Sequence, residues 1–318
     1  MAIRLFYLCE RMLENAVSIL GKPALGKSNV PMESGSHPEC DTSAQLDSGG
    51  HNKYQQLVGI GVWLVLIGRF DIGYAVSSLS RFSACPRVNH LLAIAKVYDY
   101  LNKHPDRRIL VDGSDDILHG KDMRPDEGCD WSRHYPDIGQ DLEEDFPRDF
   151  PPMLGMKPVT VTIWFDADNG HDQRNGRSIT GILVYIGKTP VKWSSKRQGA
   201  VETGTYGSEF IAGRTATEEA LGLTYVLRSW GVRVKGPVQI IGDNEAVMKS
   251  SSIPKAELKK KWVALSYHRL RECTAAGIIA GRWIPGLENK SNLLTKSLNG
   301  PQLLKECNFI WVNTRDHF

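Results

Sequence analysis

An α/β domain preceded by a mainly helical amino-terminal segment is the fold that this sequence of 318 residues predicts. Three observations predict it. Up to residue 103 the apolar residues recur largely at helical spacing. After Lys157 three strand patterns follow one another, separated by glycines and polar residues. Helix, strand, helix, strand and helix then complete the order.

The elements follow from local physics. Residues 5–20 have amphipathic helical periodicity, and 21–50 are rich in Gly, Pro, Ser and Asp, which predicts a loop. Residues 52–103 return to helical patterning. Asp71 is placed to cap the segment that runs to about Phe82, Pro86 breaks it, and Val88–Leu101 makes a further helix. RILV at 108–111 reads as a short strand. The stretch from Asp112 to Met156 has no periodicity and reads as a linker or loop. VTVTIWFD (159–166), SITGILVYI (178–186) and PVKWS (190–194) are strands of an antiparallel meander. Helices are expected at 206–230, 244–250, 256–276 and 287–298, with strands at 238–242 and 278–284 between them.

Composition bounds the function classes. Apolar residues are 41% and charged residues 24%, ordinary for a globular protein and wrong for a disordered or collagen-like chain. The net charge of +3 hides an asymmetry. Between Asp112 and Asp149 there are 13 acidic against 4 basic residues, a local −9, so the rest carries +12. Six cysteines (Cys9, Cys40, Cys85, Cys129, Cys273, Cys307) lie far apart with no CxxC pair, which predicts reduced thiols and an intracellular location. The longest apolar run, LVGIGVWLVLIG (57–68), is well short of the roughly 20 residues that span a bilayer, so no membrane partner is expected. HExxH and nucleophile-elbow patterns are absent, and Leu64 breaks the one incipient GxGxxG.

Acidic residues stand where this order places strand ends and a helix face. Asp166 ends the first strand, Glu209 lies early on the long helix, and Asp243 follows the apolar run QIIG. Converging carboxylates repel one another unless a cation neutralises them, and hard oxygen donors select Mg²⁺ or Mn²⁺. Taken singly, each acid has an ordinary structural role. Asp243 can cap a helix, Glu209 can be a solvated helix residue, and Asp168, His171 and Asp172 fit a polar hairpin turn. The ordered set carries the signal.

That set, with its flanking words, resembles the ribonuclease H domain of copia-type LTR retrotransposon polyproteins. The words are FDADNGHD and GRSITG (165–181), PVKWSSKRQGAVETGTYGSEFIA (190–212), IIGDNEAV (240–247), LSYHRLRE (265–272) and LLTKSL (293–298). The resemblance covers about residues 157–310. It implies a ribonuclease H-like mixed five-stranded sheet with flanking helices, and two divalent ions held by Asp166, Glu209 and Asp243 for cleaving RNA in an RNA–DNA hybrid. At the fourth acidic position the family has Asp and this chain has Asn292, which keeps an oxygen but loses a charge. Residues 53–109 resemble the thumb and connection helices that follow the palm of copia-type reverse transcriptases. The aromatic-X-Asp-Asp polymerase signature is absent, and Asp115-Asp116 stands in the wrong context. The implied organisation is a partial reverse-transcriptase segment at 1–111, an acidic Pro-rich linker at 112–156 and a ribonuclease H-like domain at 157–318, with the remainder of a polyprotein as a partner.

Basic residues are the expected contacts to nucleic acid. Lys192, Lys196 and Arg197 flank Trp193, while Lys259, Lys260, Lys261 and Arg269 lie on the basic helix with Trp262 and His268. Such residues neutralise phosphates without reading sequence, and aromatics beside them can stack. Ordinary alternatives are a solvated helix face for the lysines and core packing for the tryptophans and His268. The function expected is a metal-dependent hybrid ribonuclease, impaired at Asn292. Its rivals are an inert remnant that at most binds nucleic acid, and another nuclease or integrase on the same fold.

Overall fold

The computed structural model describes residues 2–21, 26–105, 107–114, 118–125, 130–138, 157–258, 260–308 and 311–312. Four helices come first: α1 (Ala2–Leu20), α2 (Ser48–Leu66), α3 (Gly73–Ser80) and α4 (Val88–Lys103). Helix α2 starts earlier than its apolar pattern because Asp47 caps it, its side chain accepting from the Gly50 amide. Asp71 does not cap α3. Its carboxylate is fully buried, 2.9 Å from Arg69, 3.5 Å from Arg107 and 2.9 Å from the Tyr100 hydroxyl. The residue that local pattern assigns to a helix start is instead the centre of a long-range ion network.

The short strands β1 (Arg108–Ile109) and β2 (Lys121–Asp122) precede a meander of β3 (Val161–Asp168), β4 (Ile179–Ile186) and β5 (Thr189–Arg197). Helix α5 (Thr205–Ser229), β6 (Val238–Gly242), α6 (Glu245–Ser252), α7 (Ala264–Ala275), β7 (Ile279–Trp283), α8 (Gly300–Asn308) and β8 (Trp311–Val312) complete the chain. The main sheet has the order β2-β7-β6-β3-β4-β5. Strand β3 runs antiparallel to β4 and parallel to β6, and β6 runs parallel to β7. This is the ribonuclease H-like arrangement that the resemblance implies, with a sixth strand beyond the five expected. The extra strand β2 comes from the acidic stretch, pairing antiparallel with the edge of β7. A second, two-stranded sheet joins β1 to β8.

Alternation along the strands divides the core into two layers. Val161, Ile163, Phe165 and Ala167 of β3, with Ile182 and Val184 of β4, pack against α5, α6 and α7. Trp164, Leu183, Tyr185 and Ile241 face the opposite way and share one apolar cluster with α1–α4. That cluster also takes in Leu293, Leu294 and Leu298. The amino-terminal helices are therefore the third layer over the sheet, on the face towards which Asp166 also alternates.

One expected helix is replaced by tighter turns and another is shortened at its start. Residues 287–298 form 3₁₀ turns at Gly286–Glu288 and Lys290–Leu294, because the side-chain Oδ1 of Asn289 accepts from the Ser291 amide and hydroxyl. The basic helix begins at Ala264 after a 3₁₀ turn at Lys261–Val263. The buried Arg271 on it donates to the Ser250, Ile253 and Pro254 carbonyls at the end of α6. Residues 130–138 of the acidic stretch lie along this helix. The Trp131 ring is 4.8 Å from the Arg271 guanidinium, and the Tyr135 hydroxyl is 3.2 Å from His268 Nδ1.

The Asp71 network sets a stability prediction. Burial alone would raise this carboxyl's pKa, but Arg69 and Arg107 outweigh it and hold the group below the usual carboxylate range. Its contribution is present above the unfolded pKa and lost as pH falls through the folded value. Asp71→Asn should cost about 3–5 kcal/mol in urea unfolding at pH 7, because two buried guanidiniums lose their counter-ion. The loss should shrink as the wild type is titrated below about pH 4.

Candidate metal centre

Asp166 lies near the end of β3, opposite Gly181 of β4, where the strand still fixes its side-chain direction. Asp243 follows β6, which runs parallel to β3, so both acids emerge at the same end of adjacent strands. It does not cap α6; Asn244 does, accepting from the Val247 amide. Glu209 comes from the second turn of α5, which packs on β3. One carboxylate oxygen from each of Asp166, Glu209 and Asp243 lies within 4.8 Å of the others. Asp166 and Glu209 are each 3% exposed, and Asp243 is half-buried.

Electrostatics mark this as a costly arrangement without a cation. Burial, then Asp166 and Asp243, hold the Glu209 carboxyl well above the usual carboxylate range. Burial and Asp166 push Asp243 up to about 6. Among the buried side-chain oxygens without a hydrogen-bond partner, two belong to this region, Oε2 of Glu209 and Oδ1 of Asn292. Buried oxygens of this kind are normally satisfied. Three hard carboxylates and an unpartnered amide oxygen nearby fit a divalent cation of the Mg²⁺ or Mn²⁺ type.

Asn292 sits on the Lys290–Leu294 turn, 1% exposed, and its Nδ2 donates to the Gly286 carbonyl at 2.6 Å. Gly286 in turn borders Asp243: a Cβ there would lie 3.0 Å from Asp243 Oδ2. On the other side, the Thr295 hydroxyl bonds both the Asn292 carbonyl at 3.2 Å and Asp166 Oδ2. The turn thus reaches the carboxylates from two directions. Lys296 Nζ lies 3.4 Å from the same Asp166 oxygen. Asn289 fastens the turn to the strand by donating to the Phe165 carbonyl at 2.9 Å. Residue-by-residue reading missed Thr295, Lys296 and Asn289. The first two stand inside the word LLTKSL, and Asn289 opens the polar run before Leu293-Leu294, a cap signal.

The expected nucleic-acid contacts are dispersed. Lys192 pairs with Glu219 of α5, and Arg269 with Glu272 at 3.2 Å. Arg197 is 2.8 Å from Asp172, a buried hairpin acid also bound at 3.0 Å by Arg81, the residue that follows α3. Lys196 and Lys261 are exposed. Lys260 borders Gly204, the residue before α5, with its Nζ 5.3 Å from the exposed Trp262 ring. Lys259 lies outside the described residues. Trp193 packs at 4.8 Å on Phe70 and donates to the Val65 carbonyl, which makes it structural. His171 bridges Asp168 at 2.6 Å and Tyr74 of α3 at 2.5 Å, so the hairpin polar residues join the sheet to the helical layer.

No sequence-family profile matches the chain. Over 248 residues it is 25% identical to the retrovirus-related Pol polyprotein from transposon RE1 of Arabidopsis thaliana, a match covering 78% of this chain and 14% of that polyprotein. The corresponding polyprotein from transposon TNT 1-94 of Nicotiana tabacum is 25% identical over 255 residues, which is 80% of this chain and 16% of the relative. Homologues of this chain are Pol polyproteins of copia-type transposons. The chain spans only about a seventh of the length of these relatives, the share being 14% for the Arabidopsis protein. Among solved structures, the chain aligns with the N-terminal RNase H domain of a Mycobacterium tuberculosis protein at 15% identity and a TM-score of 0.35, covering 47% of this chain and 97% of that one. Among the described residues, no helix is long and apolar enough to cross a membrane.

The raised carboxyls give a signed prediction. A group whose folded pKa lies above its unfolded value favours the fold when protonated, so stability falls as pH rises from about 4 towards 6. Asp243→Asn should stabilise the metal-free protein by about 2 kcal/mol at pH 7 in thermal unfolding. The gain should vanish below about pH 4.

Proposed function

We propose that the domain beginning near residue 157 cuts the RNA strand of an RNA–DNA hybrid, and that residues 1–111 and 112–156 are a partial reverse-transcriptase segment and an acidic connector. The observation that supports this best is the trio Asp166, Glu209 and Asp243 with its unpartnered Glu209 oxygen. Those three would hold Mg²⁺ or Mn²⁺, two ions at full loading, with the Asn292 amide oxygen as a neutral fourth donor. Bound divalent metal would supply an activated water and charge stabilisation for the departing oxygen.

The chain's own residues do the positioning. Thr295 fixes the Asp166 carboxylate from a fully buried position, and Asn289 ties the turn that carries Thr295 to the Phe165 carbonyl. Asn292 contributes no charge, and its Nδ2 is committed to the Gly286 carbonyl. Two exposed cations, Lys196 and Lys261, together with Lys260 and Trp262 near the start of α5, are available to phosphates and sugars. Recognition of this kind follows backbone shape, so a hybrid is the expected partner and no sequence preference is expected.

The second reading is an inert remnant that keeps the fold, and the loss of charge at Asn292 favours it. A labelled hybrid incubated with the purified chain and Mg²⁺ separates the two. An active enzyme should lose at least about a hundredfold in rate with Asp166→Asn, more than loss of a hydrogen bond that merely orients a metal ligand usually removes. Asn292→Asp should raise the rate about tenfold or more, provided the new carboxylate turns away from the Gly286 carbonyl. No cleavage by the wild type, and none created by Asn292→Asp, selects the remnant.

A further inference from the structure

Thr295 and Lys296 address the same atom, Oδ2 of Asp166. The threonine hydroxyl donates to it from within the core, and Lys296 Nζ lies 3.4 Å away. Their exposures differ. The Lys296 side chain is 40% exposed and Asp166 only 4%, so the ammonium reaches inward from solvent over a carboxylate that is otherwise closed off. Its field also acts on Glu209 and Asp243, opposing the repulsion that each receives from Asp166. Asn292, in contrast, brings no charge to the cluster.

The charge count decides what this lysine does. Three carboxylates with one ammonium carry a formal −2 when all are ionised, a charge that a single divalent ion balances. A divalent ion beside Asp166 would meet a fixed positive charge at contact distance of the same carboxylate. Two cations this close repel strongly in a site with little water.

We propose that Lys296 is the resident counter-cation of the carboxylate cluster, competing with divalent metal for Asp166, while Thr295 holds that carboxylate in place in both states. In the metal-free protein the ammonium partly neutralises the repulsion that would otherwise splay the three acids. On loading, it swings from Oδ2 towards solvent, which its partly exposed side chain permits. The proposal rests on the metal-binding reading above and makes a prediction of opposite sign to an ordinary structural role. Removing the ammonium tightens divalent binding, whereas removing a mere structural support loosens it.

The test is Mn²⁺ titration of the full chain, followed by calorimetry and by the spin-resonance signal of free Mn²⁺. Lys296→Gln, with Lys296→Ala as a second neutral variant, should bind Mn²⁺ about tenfold more tightly, a change of about 1.4 kcal/mol. Lys296→Arg, which keeps the charge, should stay within about twofold of wild type. Thr295→Val should bind about tenfold more weakly, as loss of a ligand-orienting hydrogen bond usually does. Wild-type binding that both neutral Lys296 variants leave unchanged or weaken overturns the counter-cation role and leaves the metal centre standing. Absence of any wild-type Mn²⁺ binding that Asp166→Asn abolishes overturns the metal centre itself, and the counter-cation role with it.

Discussion

Mutual repulsion among three converging carboxylates, two of them nearly closed off from solvent, is the constraint on which the rest of this structure depends. Asp166, Glu209 and Asp243 would relax apart if their supports were soft, because like charges repel at this distance, and burial adds to that in disfavouring the ionised forms of Glu209 and Asp243. The supports are not soft. Two carboxylates emerge from adjacent parallel strands in the middle of a six-stranded sheet, and the third from a helix that packs across β3. Apolar burial on both faces of the sheet holds these backbones in register, and the hydrogen bonds from Thr295 and Asn289 bring the last corner in. The cost of the cluster is thus met by packing elsewhere, as is usual where a site stores unfavourable electrostatics.

The amino-terminal helices take on a meaning through the same constraint. They cover the sheet face towards which Asp166 alternates, and their apolar cluster includes Leu293 and Leu294 from the turn bearing Asn292. Close approach is what seats that turn. A Cβ at Gly181 would lie 2.7 Å from the Thr295 methyl and 2.9 Å from the Ser291 carbonyl, so only glycine lets the turn rest on β4. Polar bonds add to this from the same layer. Tyr74 reaches His171, Ser77 reaches the Ser195 carbonyl, and Arg81 reaches Asp172. A segment that resembles a polymerase remnant is in this chain a packing partner of the carboxylate-bearing sheet.

Much of this was legible in the sequence because the signals are local. Period-two alternation marks β3 and β4, the apolar run QIIG marks β6, and the acids at their ends are placed by strand geometry alone. What escaped local reading is long-range or short. Asp71 looks like a cap until Arg69, Arg107 and Tyr100 are seen around it. Strand β2 spans two residues in a stretch without periodicity, and only its partner β7 makes it a strand. The lysines that read as one basic surface are divided among partners such as Glu219, whose proximity no spacing rule reveals. Thr295 and Lys296 carried no pattern of their own, because their significance is the distance to a carboxylate 129 residues away from Thr295.

Anomalous diffraction from a crystal soaked in Mn²⁺ would locate an ion bound by the carboxylates. A peak is expected between Asp166, Glu209 and Asp243, at about 2.0–2.3 Å from their oxygens, with the Lys296 ammonium moved off Asp166. A crystal that shows no peak there under saturating Mn²⁺, with the three carboxylates still converging, would contradict metal binding at this site.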